Sequence, residues 1–243
     1  MHSFIPKVTL MSEINCQVVK LEAFNESVFH VVLRPAQPFT YAAGQYLMVK
    51  MSDDDKRPFS IASSPSDGEL IELHIGASEL QSYPMQVIDR MKETGEITIL
   101  APHGEAQLDN NNQRPILLVA GGTGFSYVRS IVRELMATND QRDVTVYWGC
   151  QAVEHMYLFN EMQALAHAHD TLTFVPVVEK NPENWLGGTG QVHKAVMNDI
   201  GDLSPYEIYA AGRFEMVGVV RDAFLTQGMA IENMHGDALP YLK

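Results

Sequence analysis

A chain of 243 residues that is 46% hydrophobic and 19% charged is long enough for two compact domains, each with its own core. Its formal net charge of −13 argues against nucleic acid and anionic membranes as main partners, so small molecules are expected instead. Cys16 and Cys150 form no C-x-x-C pair, which excludes a disulfide framework, a cysteine zinc site and an iron–sulfur cluster, and suits a reducing cytoplasm.

Residues 1–7 lack the long apolar stretch of a signal segment, and Met11 offers a second possible start. No run approaches the roughly 20 apolar residues of a membrane span. Nine histidines are present without an H-E-x-x-H. His167 and His169, two apart on an expected helix, face different ways. No metal site is expected.

From residue 14 to 101 the pattern is of short strands, expected over 16–23, 28–34, 46–51, 59–63, 70–75 and 96–100. Pro35, Pro38, Gly44, the Ser52-Asp53-Asp54-Asp55 loop, Pro65 and Gly68 separate them. Six such strands predict a small antiparallel β-barrel. One helix over 83–91, with Met85, Val87, Ile88 and Met91 on its apolar face, is expected to cap it.

The polar segment Asp109-Asn110-Asn111-Asn112-Gln113 marks a change from successive strands to alternating strand and helix. Two domains follow, residues 1–110 and 111–243. The second opens on the apolar run 116–120, the turn Gly121-Gly122-Thr123-Gly124, and a helix carrying Tyr127, Val128, Ile131, Val132, Leu135 and Met136, with Arg129, Arg133 and Glu134 between them. Strands over 144–148, 173–178 and 208–211 alternate with helices over 156–167, 192–200 and 215–227. That order predicts a doubly wound parallel sheet, with a ligand crevice at the carboxyl ends of its strands. Residues 121–126, 149–151 and 212–216 would surround it.

Three glycines in four residues let the backbone turn tightly and present helix N-terminal amides to an anion such as a dinucleotide pyrophosphate. The turn is not the full G-x-G-x-x-G fingerprint. A nucleophile elbow at Ser126 is the other reading of the same turn, but it asks for glycine where Val128 stands. In the barrel, Lys56-Arg57-Pro58-Phe59-Ser60-Ile61-Ala62-Ser63 offers an arginine, a proline-stiffened strand and a serine to a planar ligand.

In order along the chain stand Ala43-Gly44-Gln45-Tyr46, Arg57-Pro58-Phe59-Ser60, His74-Ile75-Gly76-Ala77, Gly121-Gly122-Thr123-Gly124 and Ala211-Gly212-Arg213-Phe214-Glu215-Met216. This set resembles the ferredoxin-NADP reductase superfamily, and within it the bacterial NAD(P)H:flavin oxidoreductases, over about residues 16–237. The resemblance implies a flavin-binding barrel, a nicotinamide-nucleotide domain, and a flavin ring in the cleft between them.

It further implies that NADH or NADPH donates a hydride to the flavin's central-ring nitrogen, with the protein orienting both partners. Ser60 would be the catalytic residue, its hydroxyl near that nitrogen. Arg57, Pro58 and Phe59 would line the flavin, the backbone of His74, Ile75 and Gly76 its pyrimidine edge, and Tyr241 in the tail 239–241 would cover it. Gly121, Gly122, Thr123, Gly124 and Phe125 would take the nucleotide, with Gly212, Arg213, Phe214 and Glu215 near its nicotinamide.

Three departures bear on affinity. Many FAD-holding relatives have tyrosine at Phe59 and cysteine at Ala211, and residues 77–84 contain no glycine for the usual FAD pyrophosphate site. Riboflavin, FMN or FAD is therefore expected to bind loosely, as a substrate that leaves reduced for luciferase-type monooxygenases or ferric complexes. The family favours a monomer. A reductase component that keeps its FAD and serves a protein partner is the same-fold alternative. Gly149-Cys150-Gln151-Ala152 leaves the choice between NADH and NADPH open.

Overall fold

Alternation of inward and outward side chains builds the first half of the chain into a barrel. The computed structural model describes residues 11–77, 82–180, 183 and 185–242. Strands β1 (Ser12–Asn25), β2 (Val28–Pro35), β3 (Tyr46–Lys50), β4 (Lys56–Ser60), β5 (Ile71–Gly76) and β6 (Glu96–His103) pair antiparallel in the order β4-β3-β6-β1-β2-β5. An Ile61–Leu73 bridge and a bond from the Ala62 amide to the Glu72 carbonyl, 2.8 Å, close the ring.

The barrel interior holds Val31, Leu33, Leu47, Val49, Leu73, Ile75 and Ile99, all fully buried. Helix α1 (Tyr83–Thr94) starts on Ser82, whose hydroxyl accepts from the Met85 amide, and stops at Gly95 in the left-handed region, φ 69°. Its Val87, Ile88 and Met91 enter the barrel core as expected. At roughly 1.5–3 kcal/mol per buried side chain, that face alone gives the helix reason to stay docked.

Three barrel strands differ most in extent from expectation: β1 begins four residues earlier and ends two later, β6 runs three residues further, and β4 is displaced. The segment expected as strand 59–63 begins three residues earlier and ends at Ser60, because the backbone beyond it leaves β3 and crosses to β5 to close the barrel.

The second half is a parallel sheet of β7 (Ile116–Gly121), β8 (Val144–Cys150), β9 (Leu172–Val178), β10 (Gly188–Thr189), β11 (Glu207–Ala211) and β12 (Met234–His235), in the order β10-β9-β8-β7-β11-β12. Helices α2 (Phe125–Ala137), α3 (Phe159–Ala168), α4 (Val192–Asp199) and α5 (Phe214–Leu225) connect and cover it. Central β7 is buried on both faces, which explains its unbroken apolar run. The helix expected from 156 starts at Phe159, after a separate 3-10 turn over Val153–His155. His169 lies just past its end rather than on it. Among the described residues no helix is long and apolar enough to cross a membrane.

The polar side of α2 faces the barrel rather than water. Arg129, 5% exposed, donates to Glu72 at 2.8 Å, to the Ala62 carbonyl at 2.9 Å and to Glu161 at 2.7 Å. Ser130 donates to the Ser63 carbonyl, Arg133 pairs with Asp67, and the Ser64 hydroxyl donates to Glu134. The Asn-rich segment 109–113 is pinned to the second domain, with the Asp109 amide donating to Tyr209 and Arg142 to the Asp109 carbonyl.

Candidate active site

Between the barrel and the carboxyl ends of the parallel strands lies a crevice of ≈ 1340 Å³. From the barrel, Tyr46, Pro58, Phe59, Ser60, His74 and Gly76 line it. Opposite stand Gly121, Gly122, Thr123, Gly124, Gly149, Cys150, Gln151, Gly212, Arg213, Phe214 and Glu215. Asp237 and Tyr241 of the tail complete one end.

Strand pairing positions the barrel wall. Ser60 is the last residue of β4 and pairs with Tyr46 on β3. Tyr46 in turn stacks on His103, with centroids 5.4 Å apart. Burial raises the Asp237 carboxyl to about 6, and burial, followed by the charge of that nearby carboxylate, raises the Tyr46 phenol.

The glycine turn is held from below. Gly122 takes φ 54°, a left-handed conformation that glycine adopts at little cost, and its carbonyl accepts from Trp148 Nε1 at 3.0 Å. Phe125 stacks on Trp148 with centroids 3.8 Å apart. A side chain at Gly124 would run into the backbone of Ala211 and Gly212, so the turn lies directly against the end of β11. The start of α2 is thereby left facing the crevice, where backbone amides and the helix dipole suit an anion.

His74 is buried, and burial together with nearby Arg129 holds its imidazole well below the usual range, hence neutral. Its Nδ1 lies 3.1 Å from the Tyr157 hydroxyl, a hydrogen bond between the two domains at the crevice wall. Burial pushes the Cys150 thiol up to about 12, leaving it without thiolate character.

Two expected site residues, Arg57 and Phe125, send their side chains elsewhere. Arg57 does not line the crevice; its guanidinium donates to Asp55, Gln86 and the Tyr83 carbonyl, and lies over the Tyr83 ring at 4.1 Å. The Asp55 carboxylate two residues away out-competes the crevice for that cation. Phe125 is fully buried against Trp148, so it contributes structure rather than a nucleotide-facing side chain. Ile75 sends its side chain into the barrel core, so that only backbone remains to meet a ligand. In the tail, Leu239 packs into the second domain's core while Tyr241 stands at the crevice, 6.1 Å from the Phe214 ring. Residues 78–81, within the segment expected to lack an FAD pyrophosphate site, lie outside the described residues.

Ser126, the alternative nucleophile, donates its hydroxyl to the Thr123 carbonyl at 2.9 Å. No imidazole is bonded to it among the described residues, and the hydrolase reading has no base to work with. Tyr157, Gln191, His193 and Asp237 line the crevice without having been singled out by sequence, and Tyr46 does so as a member of a motif to which no role was given. Gln191, directly before α4, carried a weak positional signal; Asp237 after two-residue β12 carried none.

A barrel wall facing a glycine turn across one crevice defines a two-domain flavin–nicotinamide oxidoreductase architecture. Family comparison gives two matches: residues 13–125 match an FAD-binding domain and residues 118–222 an oxidoreductase NAD-binding domain. The chain is 47% identical to the NAD(P)H-flavin reductase of Aliivibrio fischeri and 44% identical to that of Vibrio harveyi, in each case over 94% of this chain and 99% of the relative. Among solved structures, the ferredoxin reductase in carbazole 1,9a-dioxygenase superposes with a TM-score of 0.81 over 95% of this chain and 70% of its own, at 22% identity, a likeness of fold. The chain belongs to the NAD(P)H-flavin reductase family, within the ferredoxin-NADP reductase-like fold.

Proposed function

We propose that this protein reduces free flavins with NADH or NADPH by direct hydride transfer in the crevice. The observation that carries this reading is the crevice itself, where Pro58, Phe59 and Ser60 face the turn of Gly121, Gly122, Thr123 and Gly124. In this reading the flavin ring lies on the barrel wall, its pyrimidine edge on the backbone of His74, Ile75 and Gly76. The nucleotide pyrophosphate meets the turn, and Gly212, Arg213, Phe214 and Glu215 border the nicotinamide. Both reactants are then held face to face, and positioning accounts for most of the catalysis the protein supplies.

The hydride carries two electrons to the ring, and one proton completes the dihydroflavin. Ser60 positions the accepting nitrogen. Asp237, beside Tyr46, is a carboxyl that holds its proton up to about pH 6. The commitment of Arg57 to Asp55, Gln86 and Tyr83 supports loose binding, because that cation is already occupied and the ring system is left as the main anchor. Riboflavin, FMN and FAD therefore all serve as substrates. Reduced flavin leaves for an acceptor such as a luciferase-type monooxygenase or a ferric complex, and the protein works as a cytoplasmic monomer.

The test is NADH and NADPH oxidation by flavin-stripped protein with excess riboflavin, FMN or FAD. Many turnovers with riboflavin are expected; a protein active only with tightly retained FAD would instead be an electron-transfer component. Ser60→Ala is expected to slow flavin reduction in stopped flow at least tenfold with an unchanged circular dichroism spectrum. Wild-type rates in that variant would remove Ser60 from its role.

A further inference from the structure

We infer that this enzyme selects NADH over NADPH, with Glu179 and Gln151 as the residues that set the preference. This rests on the nucleotide lying in the crevice as proposed above. Tyr46, the strand partner of Ser60, stands beside Asp237 just past β12, so the reacting end of the crevice is on the β11–β12 side of the sheet. With the pyrophosphate at the central β7 turn, the adenosine half runs the other way, over the ends of β8, β9 and β10. In doubly wound sheets the adenosine ribose is met after the second strand, by a carboxylate that accepts from its 2′-hydroxyl or by an arginine that takes a 2′-phosphate.

Here β8 ends at Cys150 and is followed by Gln151, and β9 ends at Val178 and is followed by Glu179, whose amide donates to the Cys150 carbonyl at 3.0 Å. Both line the crevice. The sequence holds no arginine between Arg142 and Arg213, and its two lysines in that interval, Lys180 and Lys194, are exposed and outside the crevice wall. Two imidazoles remain at this end, those of His155 and His193. Burial and neighbouring Lys194 hold His193 below the usual range, hence largely neutral near pH 7. Among the residues that line the crevice at this end, a 2′-phosphate would thus meet a carboxylate and no permanent cation, while Lys180 stands exposed next to Glu179. At a separation of about 6 Å in water, a dianion beside one carboxylate is disfavoured about tenfold.

The experiment measures kcat/KM for NADH and NADPH with saturating riboflavin, and inhibition by ADP and 2′,5′-ADP as probes that need no hydride transfer. Wild type is expected to favour NADH at least tenfold and to bind ADP more tightly than 2′,5′-ADP. Glu179→Gln narrows the ratio several-fold, and Gln151→Arg reverses the order of the two inhibitors, with both effects in KM for the nucleotide. A role only in stability would lower kcat and riboflavin affinity as well. NADH and NADPH used within twofold of each other, or variants that shift both nucleotides equally, would overturn the inference while leaving flavin reduction intact. Absence of turnover with either nucleotide and any flavin would count against the proposed function instead.

Discussion

Replacing Glu72 with glutamine removes one negative charge from the domain interface while keeping the side chain's size. In the native protein His30, 3.6 Å from the carboxylate, and Arg129, hydrogen-bonded at 2.8 Å, hold this group at about 2 against its ordinary 4.5. At 3.6 Å the imidazole is beyond hydrogen-bond reach, while Arg129 makes the bond. A carboxyl depressed in this way stabilises the fold above its unfolded value and loses that contribution as pH falls towards 2. At about 1.4 kcal/mol per unit, the shift is worth about 3 kcal/mol at pH 7, about 1 kcal/mol at pH 3 and little at pH 2. Urea denaturation of wild type and Glu72→Gln between pH 7 and pH 3, followed by far-UV circular dichroism and tryptophan fluorescence, reads the difference. A stability gap that stays constant over this range would refute the ionic account of the interface.

Gly124→Val is expected to force the glycine turn away from the backbone of Ala211 and Gly212, where a Cβ would lie 2.7 Å from the Gly212 nitrogen. It should weaken nucleotide binding at least tenfold in a fluorescence titration and cost about 1–3 kcal/mol of stability; unchanged affinity would detach the turn from the nucleotide. Asp237→Asn tests the opposite sign of titration. Its carboxyl is raised by burial from 3.8 to about 6, so ionisation destabilises the fold, with a cost absent below about pH 4 and complete above about pH 6. The amide is expected to raise stability by roughly 1–2 kcal/mol at pH 8 after allowance for partial exposure, and by nothing at pH 4. Equal melting shifts at both values would show that the buried charge is not the cause.

The order of elements was legible because each leaves a periodic trace: alternation in β2 and β5, helical spacing in α1 and α2, and an unbroken apolar run in doubly buried β7. Strands β10 and β12 have two residues each, too few for any period to register. The glycine turn and Ser60 could be located since backbone curvature and motif order are local properties of sequence. Arg57 and Arg129 could not, because an arginine's destination depends on which carboxylate the fold brings near. Asp55 draws Arg57 towards α1, and Glu72 with Glu161 turns what reads as a solvent face of α2 into the seam between domains. Phe125 illustrates the same limit, since its packing under the turn depends on Trp148, 23 residues on, a position set by the strand pairing.

The meeting of Gly76 and Thr123 acts as a gauge for the whole reaction. A single methyl on Gly76 would sit 3.0 Å from the threonine Cγ2 and 3.3 Å from its hydroxyl, so barrel and nucleotide turn already touch there with nothing to spare. Transfer between two bound molecules depends steeply on how far apart their reacting atoms rest. At this point the spacing is set by the thickness of bare backbone rather than by a side chain that could swing, compress or be exchanged. A change in a loop or a surface charge around the crevice leaves that spacing alone, whereas a side chain at Gly76 would push the two walls apart.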